Sequence, residues 1–449
     1  MTATARQMTL VGFLQAQNCS NYPASWRHRE ASSDFLSAEY YQRIARTLEA
    51  GKFHLAFFDD RLAMPDRYGN DHAQAVEHGI RCVKMDPVTI LTAIGMATKH
   101  LGLGATYSTS YYEPFHVARV FATLDLITNG RAAWNVVTSL NDGEALNMGK
   151  LQALPHDLRF DMADEFMEIV LGHWNSWDDD AIINDRISGR FADPDKVRRL
   201  DYKGTYHSSR GPFTVPRSRQ GHPVVIQAGQ SGRGRQFSAR WAELVFTTSP
   251  GTPELGRRAY AELKAEVAQL GRDPAGIKIA QLIYPIAAAT KSEAEDKKAL
   301  IDSLATVEDG LSLLSEGLNF DFSTRGLDDC LTDEEMESLS GQKALRDRVK
   351  RMSGKQNPTV REFVEVGGRG IPQPARVGGP REIADVLEEW FTTGVCDGYV
   401  LGACCVPGSF EDFVKFVVPE LQRRKIFRND YSGDTLRENL GLAFPSTRG

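Results

Sequence analysis

Cysteine is scarce in this chain. Six occur in 449 residues, at Cys19, Cys82, Cys330, Cys396, Cys404 and Cys405, and none forms a C-x-x-C pair. Cys404 and Cys405 are too close for ordinary disulfide geometry, so a disulfide scaffold is not indicated. The histidines show no H-x-x-x-H or H-E-x-x-H spacing, and no metal centre is expected. Positive charge is also short: 53 Lys and Arg against 59 Asp and Glu leave a net charge of −6. No basic stripe is available to displace counterions from nucleic acid, so no nucleic-acid partner is expected. The densest basic run, "RDRVKRM" at 346–352, reads as a solvated helix face. No apolar stretch approaches the roughly 18 residues of a membrane span. "MTATARQMTLVGF" has neither a basic leader nor an apolar h-region, so no signal peptide and no membrane are expected, and a cytoplasmic protein is. The G-x-G-x-x-G dinucleotide fingerprint is missing as well.

What remains is an ordinary soluble composition: 41% hydrophobic residues suffice for a sizeable core. Short apolar runs alternate with helical patterns from end to end. Strands are expected at 7–15, 54–59, 101–110, from 131, and at 223–229, 244–249, 278–288 and 398–403. Helices are expected at 37–53, after the Asp86–Pro87 start signal, at 114–130, at 157–174 and at 231–242. Eight β/α units fit a closed α/β TIM-like (β/α)8 barrel better than an open doubly wound sheet. The expectation is a single barrel domain over 1–449, with insertions near 61–84, 177–222 and 317–378. The alternative is a two-domain chain split near 317.

In such a barrel the site lies at the C-terminal ends of the strands. "WNVVTSLND" ends a strand in Asn135, Thr138, Ser139, Asn141 and Asp142, groups that are costly to bury unless something bonds them. The same rule collects Phe13, Gln15, Asp59, Asp60, Thr106, Ser108, Thr109, Gly229, Gln230 and Ser231. This set is rich in neutral hydrogen-bonding groups and poor in general bases, which suits a polar planar ligand better than triad hydrolysis. "QAGQSGRG" (227–234) opens a helix with backbone N–H groups and a hydroxyl aimed at one spot, either an anion site or a tight turn with a Ser cap. "WDDDA" (177–181) reads as an exposed turn.

Four segments then point to a family. "WNVVTSLNDGEALNMG", "HLGLGATYSTSYYEPFHVARVFATLDLITNGR", "ADEFMEIVLGHWNSW" and "VIQAGQSGRGRQFSARWAE" resemble the bacterial-luciferase-like flavin monooxygenases. The branch is that of nitrilotriacetate and dibenzothiophene-sulfone monooxygenases; "SWRH" (25–28) and the segment 416–442 look like it too. The resemblance implies an enzyme taking reduced FMN from a separate NAD(P)H:flavin reductase. It would use O2 to oxidise a small organic substrate. It also implies cofactor contacts at Asp60, Thr106, Asn135, His156, Phe160, Gln230 and Ser231, with Thr106 and Asn135 catalytic beside the oxygen pocket. The family's usual Tyr at the Phe160 site is missing here, and with it one hydrogen bond worth roughly 0.5–1.5 kcal/mol. Substrate contacts are implied at Phe13, Glu316 and His28, with the alternative that His28 only closes a structural turn. Relatives that oxidise sulfones carry a His where Ser315 stands, which argues against simple transfer of that substrate. A homodimer or tetramer is expected from the relatives. A deazaflavin-dependent oxidoreductase and a non-catalytic flavin-binding protein are the competing readings. Alternatively, Thr106 and Asn135 merely satisfy backbone groups.

Overall fold

The computed structural model describes residues 6–18, 20–229, 232–339, 341, 343–367 and 375–446. Eight parallel strands close into a barrel: β1 (Thr9–Leu14), β2 (Leu55–Phe58), β3 (Gly102–Ser108), β4 (Ala132–Val137), β5 (Val224–Gln227), β6 (Leu244–Thr247), β7 (Lys278–Ile283) and β8 (Gly398–Gly402). Their order around the barrel follows the chain, and β8 pairs back onto β1.

Every expected barrel strand is present, with one correction. The run at 278–288 does not stay in the barrel. It breaks after Ile283, and Pro285–Ala287 pairs instead with Arg376–Gly378 in a small parallel sheet. Pro285 has no N–H to give a central ladder, so the chain leaves the barrel there.

The helix boundaries follow local chemistry. The Ser37 side chain accepts from Tyr40 N–H at the start of α1 (Ala38–Ala50). Asp86 accepts from Val88 and Thr89 at the start of α2 (Pro87–Ala97). Then come α3 (Pro114–Ile127), α4 (His156–Trp174), α5 (Gly232–Trp241) and α6 (Pro253–Gln269). Beyond α3, Asn129 and Gly130 take positive φ of 59° and 81°, which ends the helix short of the expected 130.

Alternation along each strand sorts side chains between two layers. Val11, Leu55, Phe57, Ala133, Ile226, Leu244, Phe246 and Val400 fill the barrel. Leu10, Leu103, Ala105, Trp134 and Val136 face the helices. The C-terminal segment adds Leu436, Leu440 and Leu442 to the inner cluster, and Leu436 N–H donates to Gly130 O at 2.9 Å, beneath the start of β4.

The insertions are ordered. Two short antiparallel hairpins lie within 177–222, and a helix at Ala73–His78 lies within 61–84. The third insertion begins before 317, with α7 (Val307–Leu318), and its helices enclose a separate core of Leu314, Leu318, Phe322, Leu331, Val349, Val360 and Phe363. "RDRVKRM" is therefore only partly a solvated face, because Val349 is buried in this core. In "WDDDA", Asp178, Asp179 and Asp180 pair with Arg198, Arg217 and Lys196, and Asp179 and Asp180 are exposed. Among the described residues no helix is long and apolar enough to cross a membrane.

Candidate active site

Thr106 and Asn135 sit opposite each other on neighbouring strands β3 and β4. Trp134 and Val136 face the helices, so the two-residue period turns Asn135 into the barrel, above the apolar layer that contains Ala133. Asn135 Nδ2 donates to Thr106 Oγ1 at 2.9 Å. This bond occupies the hydroxyl oxygen and leaves its proton free to donate elsewhere. Asn135 is only 5% exposed, yet its Oδ1 has no partner among the described residues. A buried amide oxygen without a donor costs roughly 1–3 kcal/mol, so the pair is built for a donor that comes from outside the chain.

The ends of β1 and β2 carry a charged network. Asp59 accepts from Lys84 at 2.8 Å and from Gln15 at 3.2 Å. Gln15 also donates to Asn21, which accepts from Arg81 at 2.9 Å and donates to Tyr284 Oη at 3.0 Å. Lys84 and these bonds hold the Asp59 carboxyl below its usual range despite burial. Its neighbour behaves oppositely. Burial pushes Asp60 up to about 7, and the Arg61 N–H at 2.8 Å offsets this only in part. Two adjacent carboxyls thus differ in charge near neutral pH, one fixed and one able to exchange a proton.

Between these polar ends lies an aromatic floor. The Phe13 and Phe57 rings are 5.4 Å apart, and Phe57 meets Phe246 edge-on at 4.8 Å. Above it the third insertion reaches down: Glu316 on α7 is ion-paired with Arg61, the residue following Asp60. Glu316 Oε2 is buried without a partner, and burial pushes the Arg61 guanidinium down to about 10. Ser315 turns away, since its hydroxyl accepts from Phe322 N–H within the insertion.

A second corner lies where α4 meets α5. His156 is the first residue of α4, exposed, with Nδ1 bonded to Asp157 at 2.7 Å. Its ring packs against Phe160 at 5.0 Å, and Phe160 packs against Phe237 of α5 at 5.5 Å. Gln230 and Ser231 lie outside the described residues. Neither arginine of "SGRGR" is available to an anion: Arg233 pairs with Asp161 and Asp164, and Arg235 with Glu262 and Glu266. Among the described residues, Arg159 has no carboxylate partner at this corner. It is 9% exposed, donates to Leu154 O, and keeps a buried Nε with no partner. The charge of Glu144 acts on both Arg159 and Arg61.

His28 shows the features of the turn-closing reading of this residue. It is 3% exposed and lies with Glu30 and Cys405, where its Nδ1 accepts from Glu30 N–H at 3.2 Å. Its packing is that of a turn-closing residue. This trio has ligand atoms within 4.8 Å of one another, but the Lys297 ammonium already bridges Glu30 and Asp412. Burial holds the Cys405 thiol up at about 11, which disfavours the thiolate a metal needs.

Sequence reasoning missed Phe57, Phe246, Arg61, Arg81 and Arg159. The two phenylalanines were visible as inward positions of period-two strands. Arg81 and Arg159 lie in a loop and a helix, where no period marks which cation ends up buried.

The profile of the Luciferase-like monooxygenase family matches residues 18–397. The chain belongs to that family. It is 44% identical to dibenzothiophene-sulfone monooxygenase of Rhodococcus erythropolis over 452 aligned residues, covering 99% of this chain and 98% of the relative. The crystal structure of DmoA from Hyphomicrobium sulfonivorans superposes with a TM-score of 0.89 at 32% identity, covering 98% of this chain and 94% of that one. A riboflavin lyase solved with modified FMN and riboflavin superposes at 0.88 with 31% identity, covering 98% and 97%. This luciferase-like chain is a flavin-dependent monooxygenase.

Proposed function

We propose that this monooxygenase receives FMN in its reduced form from a separate NAD(P)H:flavin reductase and oxidises a small, partly apolar organic molecule. Family membership supports the reaction class, and the orphaned amide of Asn135 beside a free Thr106 hydroxyl carries the site assignment. The residues present fit the cofactor. Asn135 offers a buried acceptor to a ring with a polar edge, and Arg159 with His156 offers cationic and N–H groups to a phosphate. Gln230 and Ser231 stay in the proposed phosphate contact on the resemblance alone.

Bound reduced flavin supplies the electrons that activate oxygen. The chain's own part is positioning and electrostatics. Thr106 O–H, held by Asn135, donates to negative charge on oxygen, as an oxyanion-hole donor does. Asp60 holds or releases a proton at its carboxyl near neutral pH. Phe13, Phe57 and Phe246 give the substrate an apolar wall that keeps water off the reacting atoms. Glu316 and Arg61 close the opposite side and set polar selectivity.

The test mixes protein and photoreduced FMN, anaerobically, with oxygenated buffer and follows flavin absorbance by stopped flow. Bound flavin is expected to reoxidise on a time course distinct from free FMN. Thr106→Ala and Asn135→Ala should bring it back toward the free course, a change of about 100-fold or more for loss of one such donor. Traces identical to free flavin would sink the proposal, and substrate turnover without oxygen would point to hydride transfer instead.

A further inference from the structure

A cavity of about 200 Å³ lies outside the barrel wall, between β6, β7 and α6. Val245, Ile279, Leu263 and Val395 make most of it apolar. Of the polar side chains that also line it, Gln281 is the buried one among the described residues. Gln281 is in register with Thr247 on one side and Tyr399 on the other, and its neighbour Ala280 points into the barrel core. Alternation therefore turns Gln281 outward, with Ile279, into the layer beneath α6. It is 1% exposed, and neither its Nε2 nor its Oε1 has a partner among the described residues.

An amide in a helix-facing layer is costly unless both of its atoms are bonded. Here both are left open toward a space larger than one water needs. We propose that this cavity is a second small-molecule site, distinct from the active site. Its ligand is neutral, mostly apolar, and carries a donor and an acceptor side by side on one edge, as a cyclic amide does. The neutrality follows from the rim. Arg235, the cation there, is paired with Glu262 at 3.1 Å and Glu266 at 2.6 Å, so it has no surplus charge for an anion. The paired edge follows from Gln281, whose amide offers one donor and one acceptor in a plane. The apolar body follows from the lining.

The test uses the full chain without flavin, so that its outcome does not depend on the monooxygenase site. The probe is 3,4-dihydroquinolin-2(1H)-one, and its matched control is 2-tetralone, in which a methylene replaces the N–H. Isothermal titration calorimetry should show binding of the lactam, and binding at least about tenfold weaker for 2-tetralone. Gln281→Leu should remove the difference between the two compounds. Ala259→Trp, at an exposed rim position of α6, should block both without touching Gln281. Equal binding of lactam and ketone to the unmodified chain would overturn the proposal. So would lactam binding that survives both substitutions, or no lactam binding at millimolar concentration, which would leave the amide to water.

Discussion

Asp60 makes the sharpest prediction. Its carboxyl ordinarily titrates at 3.8, and burial in the folded chain pushes it up to about 7. Below pH 4 both folded and unfolded chains hold the proton, so Asp60 contributes nothing to pH dependence. As pH rises from about 4 to about 7, the unfolded chain ionises while the folded one keeps its proton, and stability falls. Each tenfold difference in proton affinity is worth about 1.4 kcal/mol, so the loss totals on the order of 4 kcal/mol and is complete above pH 7. Asp60→Asn keeps an oxygen for the Arg61 N–H but cannot ionise. Urea denaturation of both proteins between pH 5 and 8.5 isolates this group. Asp125, which burial pushes up to about 6, destabilises both proteins over much the same range and cancels in the difference. The stability gap should move toward the variant by about 2–3 kcal/mol between pH 5 and 7, then stay flat. Parallel curves over the whole range would show that Asp60 is not held neutral, and its proposed proton role would fall with it.

Two further outcomes follow from the site. Phe160→Tyr adds the hydroxyl that the family resemblance implies for this position, next to the first turn of α5. FMN binding followed by fluorescence quenching should tighten by about three- to tenfold, and an unchanged affinity would remove this corner from the phosphate contact. Glu316→Gln leaves the Arg61 cation without its carboxylate. Loss of one partner from a buried pair costs about 3–5 kcal/mol, but Arg61 keeps some solvent, so about 2 kcal/mol is expected. Across a chain of this length that lowers the melting temperature by about 2 °C, with a matching loss of substrate selectivity. A variant that melts and selects like the parent would show that the pair neither holds the insertion nor shapes the pocket.

The barrel was legible because period-two strands and capped helices carry their signals locally. Trp134 and Asn135 stand side by side, and alternation alone sends one to the helices and the other to the mouth. Local pattern also announced the starts at Asp86 and Ser37. It failed where geometry depends on distant chain. The strand break after Ile283 is set by Pro285 together with Arg376, about ninety residues later. Nothing near Glu316 announces that its partner is Arg61, and nothing in "SWRH" shows that His28 will be walled in by Glu30 and Cys405. The family resemblance supplied the roles of Thr106 and Asn135. Their bond, and the amide oxygen it leaves over, belong to the structure.

The separate core of the third insertion bears on how such an enzyme changes. Leu314, Phe322, Val349 and Phe363 hold those helices together without help from the strands. Mutations in this insertion, the proposed roof over the substrate, are therefore felt within it, while the barrel keeps its packing. A lineage can thus try new substrates at little risk to the shared oxygen chemistry, and the Arg61–Glu316 contact is where the two histories must agree.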